Sequence, residues 1–153
     1  MTPDALWAAA CALYALPGAR EELLNLQERC GADVPMLLWA AVLALENEAL
    51  DVTTARAARA KAEGIAECVR AVRAVRRKLP DLAPAPASEP ARAALLSGEL
   101  ALERLQLDRL CGHRGTKVAK VELLDNLNVA LAACGCFANP ESVDDLVRIL
   151  SGA

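Results

Sequence analysis

Residues 5–45 of the chain read ALWAAACALYALPGAREELLNLQERCGADVPMLLWAAVLAL, and this stretch decides the fold class. It holds two uninterrupted apolar runs of 12 residues each, Ala5–Leu16 and Val34–Leu45. Alanine and leucine lead the ranking of helix-forming residues, whereas a membrane-spanning helix needs about 20 apolar residues. The two runs therefore predict buried helices without a membrane span, and we expect them to form the interior pair of a helical core.

The composition of the whole chain favours the same architecture. Of the 153 residues, 33 are alanine and 26 are leucine, and only 3% are aromatic. Strand-favouring residues are scarce, and a 55% hydrophobic content with a net charge of −3 is not typical of a disordered chain. We predict an all-α fold, a compact bundle of about six to seven helices without a credible strand.

Capping and breaking residues divide the chain into helices. The predicted helices cover about 3–16, 19–29, 33–48, 53–79, 88–111, 117–134 and 140–150. Thr53 or Thr54 is expected to cap the fourth helix, and Pro80 to end it. Residues 80–90, PDLAPAPASEP, contain four prolines and predict an extended connector between the fourth and fifth helices.

We expect one all-helical domain over residues 1–153. It would comprise an N-terminal four-helix part (1–79), the connector (80–90) and C-terminal helices (91–153), with the two parts packed together. No repeat of 20–50 residues is visible, which disfavours a helical solenoid.

The six cysteines lie mostly inside helical patterns, where a free cysteine behaves as a small buried hydrophobe. The first residues, Met-Thr-Pro-Asp, lack the basic region of a secretory signal peptide. These observations predict reduced cysteines and a cytoplasmic location.

No catalytic constellation is visible, and His113 is the only histidine. Glu99 and Glu103 lie one helical turn apart, which is typical of an exposed, solvated helix face. Cys111 and His113 could form a Cys₃His site with Cys134 and Cys136 if the four converged, but one residue separates each pair and structural zinc sites usually have two to four. We therefore predict no metal or cofactor, and we favour a non-enzymatic protein.

The fourth predicted helix is the basic element of an acidic chain, since residues 51–80 hold eight basic and three acidic side chains. Arg70, Arg73, Arg76 and Arg77 recur at helical spacing, so several share one face. They could contact a phosphate or another anion, or form an exposed face paired with the acidic N-terminal segment or with a partner. We do not expect a nucleic-acid partner, because no aromatic residues alternate with the arginines.

The N-terminal block resembles the start of an uncharacterised family of short, all-helical bacterial proteins, known only as a domain of unknown function. The arginine-rich helix and the stretch Glu99–Arg104 are similar to its continuation, and Pro35 departs from the family, which usually carries asparagine there. The resemblance implies an all-helical bacterial protein and no particular activity. The residues that carry it are Leu6-Trp7, Tyr14, Pro17-Gly18, Leu24, Leu26-Gln27-Glu28, Gly31, Asp33-Val34 and Leu37-Leu38-Trp39.

Four residues of this block are less easily explained by packing: Tyr14, Gln27, Asp33 and Trp39. They could line a small ligand pocket where the first three helices meet, or they could satisfy one another and the helix ends. The favoured function is contact with another protein, in the simplest case as a homodimer. The alternative is a carrier of a small apolar ligand between the helices, although alanine-rich helices approach closely and leave less room for one.

Overall fold

The computed structural model describes residues 1–152, which form seven helices and one two-stranded sheet. The helices are α1 (Pro3–Tyr14), α2 (Ala19–Cys30), α3 (Val34–Leu45), α4 (Val52–Leu82), α5 (Glu89–Cys111), α6 (Leu123–Cys134) and α7 (Pro140–Leu150). The strands are β1 (Glu48–Ala49) and β2 (Thr116–Lys117). The prediction of a compact all-α fold is confirmed.

The ends of the first three helices have clear local causes. The Thr2 hydroxyl accepts a hydrogen bond from the Ala5 amide at 3.2 Å, and an Asp33 carboxylate oxygen accepts one from the Met36 amide at 3.2 Å. These bonds satisfy amide groups that the first turn of a helix leaves unpaired. Gly31 ends α2 at φ 72°, in the left-handed region that favours glycine.

Helix α3 is the centre of the molecule, with eleven of its twelve residues buried. It packs against α1, α2, α5 and α6. Only Leu6, Ala10 and Leu13 of α1 are buried, so the expectation that α1 is the second interior helix is wrong. Alanine explains the error, because an exposed methyl group costs little and an alanine-rich run does not require burial on all sides.

Helix α4 is longer than predicted at both ends. Its N-cap is Asp51, whose carboxylate accepts hydrogen bonds from the amides of Thr53 and Thr54 at 2.8 and 2.9 Å, so neither threonine is the cap. Pro80 lies inside the last turn and does not end the helix. A proline there removes one hydrogen bond near a terminus that would soon end in any case. The connector to α5 is therefore shorter than the predicted 80–90.

The strands β1 and β2 pair antiparallel, with Glu48 opposite Lys117 and Ala49 opposite Thr116, which corrects the expectation of no strand. Because residues 48–49 and 116–117 pair as strands, α3 does not extend to the predicted residue 48 and α6 does not begin at the predicted residue 117. The buried Asn126 side chain of α6 accepts from the Leu50 amide and donates to the Ala40 and Glu48 carbonyls at 2.8, 3.2 and 2.9 Å. This amide joins α6 to α3 and to β1.

A disulfide joins Cys30, the last residue of α2, to Cys136, just after α6. The prediction that all six cysteines are reduced is therefore wrong for this pair, because their helix ends meet in space, which local sequence pattern does not reveal. Cys111 is buried and Cys134 partly buried, but Cys11 and Cys68 are exposed, so burial is not general either. Within residues 1–152, no helix combines the length and apolarity needed to cross a membrane.

Candidate functional site

A cleft of about 410 Å³ opens between the first five helices, and we call it the arginine cleft. Five arginines line it. Its lining residues are Trp7, Ala10, Cys11, Tyr14, Arg20, Leu24, Gln27, Val34, Pro35, Leu38, Arg73, Arg76, Arg77, Arg92, Leu96, Glu99, Leu100, Glu103 and Leu107. Small-molecule pockets in proteins usually measure about 300–1,000 Å³, so the volume suits a small ligand.

Each helix presents one face to this cleft, as the helical period requires. The lining residues of α1 lie at positions 7, 10, 11 and 14, and those of α5 at positions 92, 96, 99, 100, 103 and 107. Both sets follow the i, i+3, i+4, i+7 spacing of a single face. The amphipathic faces of separate helices thus converge on one concave surface.

The wall formed by α1 and part of α5 is mainly apolar. Trp7 and Tyr14 stand on α1, and Leu96 and Leu100 stand on α5. The guanidinium carbon of Arg104 lies 5.6 Å from the centre of the Trp7 ring, a cation–π contact that holds the indole between the two helices. A ligand in the cleft would therefore meet two aromatic rings and exposed leucine side chains on one side.

Arg73 is the centre of the polar wall. Its Nε donates to Glu99 Oε1 at 2.5 Å, and its Nη2 donates to Glu103 Oε1 at 2.7 Å. Its Nη1 donates to Gln27 Oε1 at 2.6 Å. Each of the three nitrogens of this guanidinium has a protein acceptor, so Arg73 joins α4 to α5 and α2 and uses three of its five N–H groups in doing so.

Glu99 is shared between two arginines. Its second oxygen accepts from Arg76 Nε at 2.7 Å, while the residue is only 4% exposed. Burial alone raises the pKa of this carboxyl, but the hydrogen bonds and charges of Arg76 and Arg73 outweigh burial and lower its pKa below the ordinary value. Glu99 is therefore a carboxylate whose two oxygens are both occupied.

Glu103 responds in the opposite direction. Burial raises its pKa, and the negative charges of Glu99 and Asp33 add to this effect, although Arg73 opposes it. Glu103 is thus the carboxyl of the polar wall that takes up a proton more readily.

Arg76 differs from Arg73 in the groups it has left over. Within residues 1–152 its single hydrogen bond is the one from Nε to Glu99, and its side chain keeps 20% of its surface exposed. A guanidinium is always charged and presents further N–H donors in a planar fork. The terminal nitrogens of Arg76 are therefore available donors on the wall of the arginine cleft.

A second cleft of about 570 Å³ lies between α2, the start of α3, α4 and Gln106 of α5. It shares five residues with the first cleft: Gln27, Val34, Pro35, Arg73 and Arg77. Asp33 and Gln106 line it, and Gln106 Nε2 donates to both Asp33 oxygens at 2.8 and 2.7 Å. Burial raises the pKa of Asp33, despite hydrogen bonds from Met36 and Gln106. The Gln27–Arg73 pair thus lies between the two clefts.

The four residues proposed as a pocket in the N-terminal block are separated by the structure. Tyr14 and Gln27 line the arginine cleft, Gln27 and Asp33 line the second cleft, and so Gln27 is the one member that shares a cleft with two of the others. Trp39 lines neither, because it lies fully buried in α3, where its indole N–H has no hydrogen-bond partner within residues 1–152. The hypothesis of a site where the first three helices meet therefore loses Trp39, since its position on α3 faces the core.

The arginines of α4 have different surroundings. Arg73 and Arg76 face α5, Arg77 Nη2 donates to Glu28 at 3.1 Å, and Arg70 Nη2 donates to Glu63 at 2.6 Å. The first two thus pair with α5, and only Arg77 pairs with the acidic N-terminal segment.

Sequence reasoning missed the acidic partners. It placed Glu99 and Glu103 on a solvated face, which is wrong because both bind arginines of α4. A signal existed: acids at 99 and 103 and arginines at 73, 76 and 77 lie one turn apart on helices joined by a short connector. Such spacing is typical of an interhelical ion-pair seam. Gln106 and Arg92 were also missed, and no local pattern distinguishes them.

The four residues considered for a metal site do not provide a free ligand set. Cys136 is bound to Cys30, which removes its thiolate, and Cys111 Sγ lies 3.5 Å from the Met1 carbonyl oxygen. In the part of the chain that the structure describes, no three histidine, cysteine, aspartate or glutamate side chains form a group suited to a metal ion.

The sequence model of one protein family, described as a protein of unknown function (DUF2390), matches residues 5–110. The match covers more than half of the chain, from α1 to the end of α5, and includes every residue that lines the arginine cleft. No curated protein and no solved structure matches the chain.

Proposed function

The chain belongs to this DUF2390 family of proteins of unknown function, and we propose that it is a non-enzymatic protein that binds a small molecule with an apolar body in the arginine cleft. The observation that carries the proposal is the cleft itself, with Trp7, Tyr14 and leucines on its apolar wall. Concave, largely apolar surfaces with a few convergent polar groups are the usual form of a small-molecule site.

If the ligand lies against the apolar wall, a larger side chain on that wall should weaken its binding. Ala10 lines the cleft although it is only 1% exposed, so the larger side chain of Ala10→Leu would reduce the space at the base of the cleft. We expect this variant to bind the neutral dye N-phenyl-1-naphthylamine at least about tenfold more weakly than the parent protein, a loss of about 1.4 kcal/mol. Dye fluorescence measures the binding.

The matched control is Ala57→Leu, the same change at an exposed position of α4 outside the cleft. It should bind the dye like the parent protein. Because added bulk near the core also costs stability, Leu96→Trp serves as a second variant, at a lining position that is 46% exposed. Dye binding that is equal in all four proteins, or absent from the parent, would overturn the proposal.

A second candidate function is protein contact, with a second copy of this chain as the simplest partner. The observation that favours it is Phe137, which is 94% exposed between α6 and α7. A large exposed aromatic ring is typical of interaction surfaces. Light scattering that gives a dimer mass for the parent and a monomer mass for Phe137→Ser would support it, whereas a monomeric parent would exclude the homodimer.

We also propose a bacterial, cytoplasmic protein. The resemblance supports the bacterial origin, and the predominance of free cysteines supports the location. Disulfides are uncommon in the cytosol, so the redox state of Cys30 and Cys136 in cells is the measurement that decides the location.

A further inference from the structure

We infer that the ligand of the arginine cleft is an amphipathic anion, an apolar tail ending in a carboxylate or phosphate head group that binds at Arg76. This inference rests on the proposed function and names the class of ligand. It comes from the charges around the cleft and from the donors that the protein leaves unused.

The first argument is the charge balance of the lining. Five arginines and two glutamates line the cleft, which gives a formal net charge of +3 in a protein of net charge −3. Two of these arginines have partners outside the lining: Arg77 pairs with Glu28, and Arg92 lies 3.5 Å from Glu89. Both pairs are largely exposed to solvent, where ion pairs are weak and exchange readily. The cleft therefore favours a negative ligand.

The second argument is which donors remain. The three nitrogens of Arg73 donate to Glu99, Glu103 and Gln27, one to each. Among residues 1–152, Arg76 donates only through its Nε, to Glu99. That same bond fixes the orientation of the guanidinium, so its remaining N–H groups are held in place before a ligand arrives. A planar fork of this kind matches carboxylate and phosphate oxygens bidentately.

The third argument is the position of the polar wall beside the apolar wall. Arg76 and Glu99 line the same cleft as Leu96 and Leu100, and the last three are all on one face of α5. A ligand that reached Arg76 with its head group would lay its body against the leucines and Trp7. An anion without a tail would leave this apolar wall in contact with water, and a tail without an anion would leave the terminal nitrogens of Arg76 without an acceptor.

The experiment compares four probes by calorimetry with the full chain: decanoate, decyl phosphate, decanol and inorganic phosphate. We expect decanoate and decyl phosphate to bind about 10- to 100-fold more tightly than decanol, as charge-assisted hydrogen bonds would provide. Inorganic phosphate should bind more weakly than decyl phosphate. The comparison of decanoate with decyl phosphate distinguishes a carboxylate from a phosphate head group.

The variant Arg76→Gln should reduce decanoate affinity by about the same factor and should reduce decanol affinity much less, because decanol carries no charge for Arg76 to pair with. The matched control is Arg70→Gln, the same change on the same helix at a residue outside the arginine cleft. Because Arg76 also binds Glu99, Arg92→Gln is a second variant that leaves the Glu99 pairing intact and should weaken decanoate binding to a lesser degree.

Decanol binding as tight as decanoate binding would overturn the anion inference while the proposed function stands. Equal binding of inorganic and decyl phosphate would overturn the amphipathic part. Failure of every probe, together with failure of the neutral dye, would overturn the proposed function itself.

Discussion

Glu99 is a buried carboxylate that accepts hydrogen bonds from two guanidinium groups. Removing one member of a buried ion pair leaves its partners charged and unpaired, which costs about 3–5 kcal/mol. Glu99 therefore stabilises the junction of α4 and α5 as well as orienting Arg76 in the cleft.

The variant Glu99→Gln is expected to lower the free energy of unfolding at pH 7 by about 3 kcal/mol. The difference from the parent should depend on pH. Since the folded protein lowers the pKa of Glu99, the stabilisation is present above the pKa of an unfolded glutamate, about 4.3, and is lost as the pH falls through the folded value. Urea unfolding between pH 7 and pH 3 measures it.

The control is Glu89→Gln, because Glu89 forms an exposed i, i+3 pair with Arg92 on the same helix. It should change stability by less than about 1 kcal/mol. Differences between variants are required, because Asp33 and Glu103 have raised pKa values and their stabilisation is lost as the pH rises. An equal effect of both substitutions, or a Glu99→Gln effect that does not decrease as the pH falls from 7 to 3, would contradict the prediction.

Among the elements, the short β1–β2 pair depends on Gly115. A Cβ atom at this position would lie 2.6 Å from the Ala49 carbonyl oxygen, closer than real contacts allow. Because the neighbour is backbone, a side chain at 115 can be accommodated only if the two strands separate. That would disturb β1, to which Asn126 is bonded.

The variant Gly115→Ala should destabilise the protein by about 1–3 kcal/mol through this overpacking. Gly98→Ala is the matched control, because Gly98 lies inside α5 with no atom within 4 Å of its added Cβ. Replacing a glycine inside a helix by alanine usually stabilises by about 0.5–1 kcal/mol. The two midpoints in urea should move in opposite directions, and a common direction would refute the assignment.

How well each element could be predicted depended on whether its cause is local. Thr2, Gly31 and Asp33 act on their own helix ends, and those ends follow from the sequence. Pro80 does not end α4, because a proline near the C-terminus of a helix removes only one backbone hydrogen bond. A two-residue strand is too short to show an alternating pattern, so β1 and β2 could not be predicted from the sequence.

At the scale of the molecule, the candidate site was only partly predictable. Tyr14, Gln27 and the arginines of α4 stood out by type and spacing. The pairing of these arginines with acids of α5 depends on how α4 and α5 are aligned, which places Arg73 beside Glu103 and Arg76 beside Glu99. The connector limits how α4 and α5 can align. Its length could not be predicted correctly, because α4 extends past Pro80 to Leu82.

The Cys30–Cys136 disulfide joins residues 106 positions apart. Closing so long a loop restricts the unfolded chain, and we expect reduction to lower the free energy of unfolding by about 2–4 kcal/mol. Urea unfolding with and without dithiothreitol measures the change.

A double variant, Cys30→Ser with Cys136→Ser, should unfold like the reduced parent, and its midpoint should not change when dithiothreitol is added. The control Cys68→Ser, at an exposed free cysteine, should behave like the parent. Equal midpoints for the parent with and without reductant would contradict the expectation.

The same disulfide determines how the molecule would respond to mechanical force. A pull on the two ends of the chain would travel through α1 and α2, cross from Cys30 to Cys136, and continue through α7. The helices α3 to α6 lie inside the covalent ring and would carry no tension. Stretching would therefore act on α1, α2 and α7, and a separation of α1 and α2 would open the arginine cleft, which they line, without extending the covalent ring.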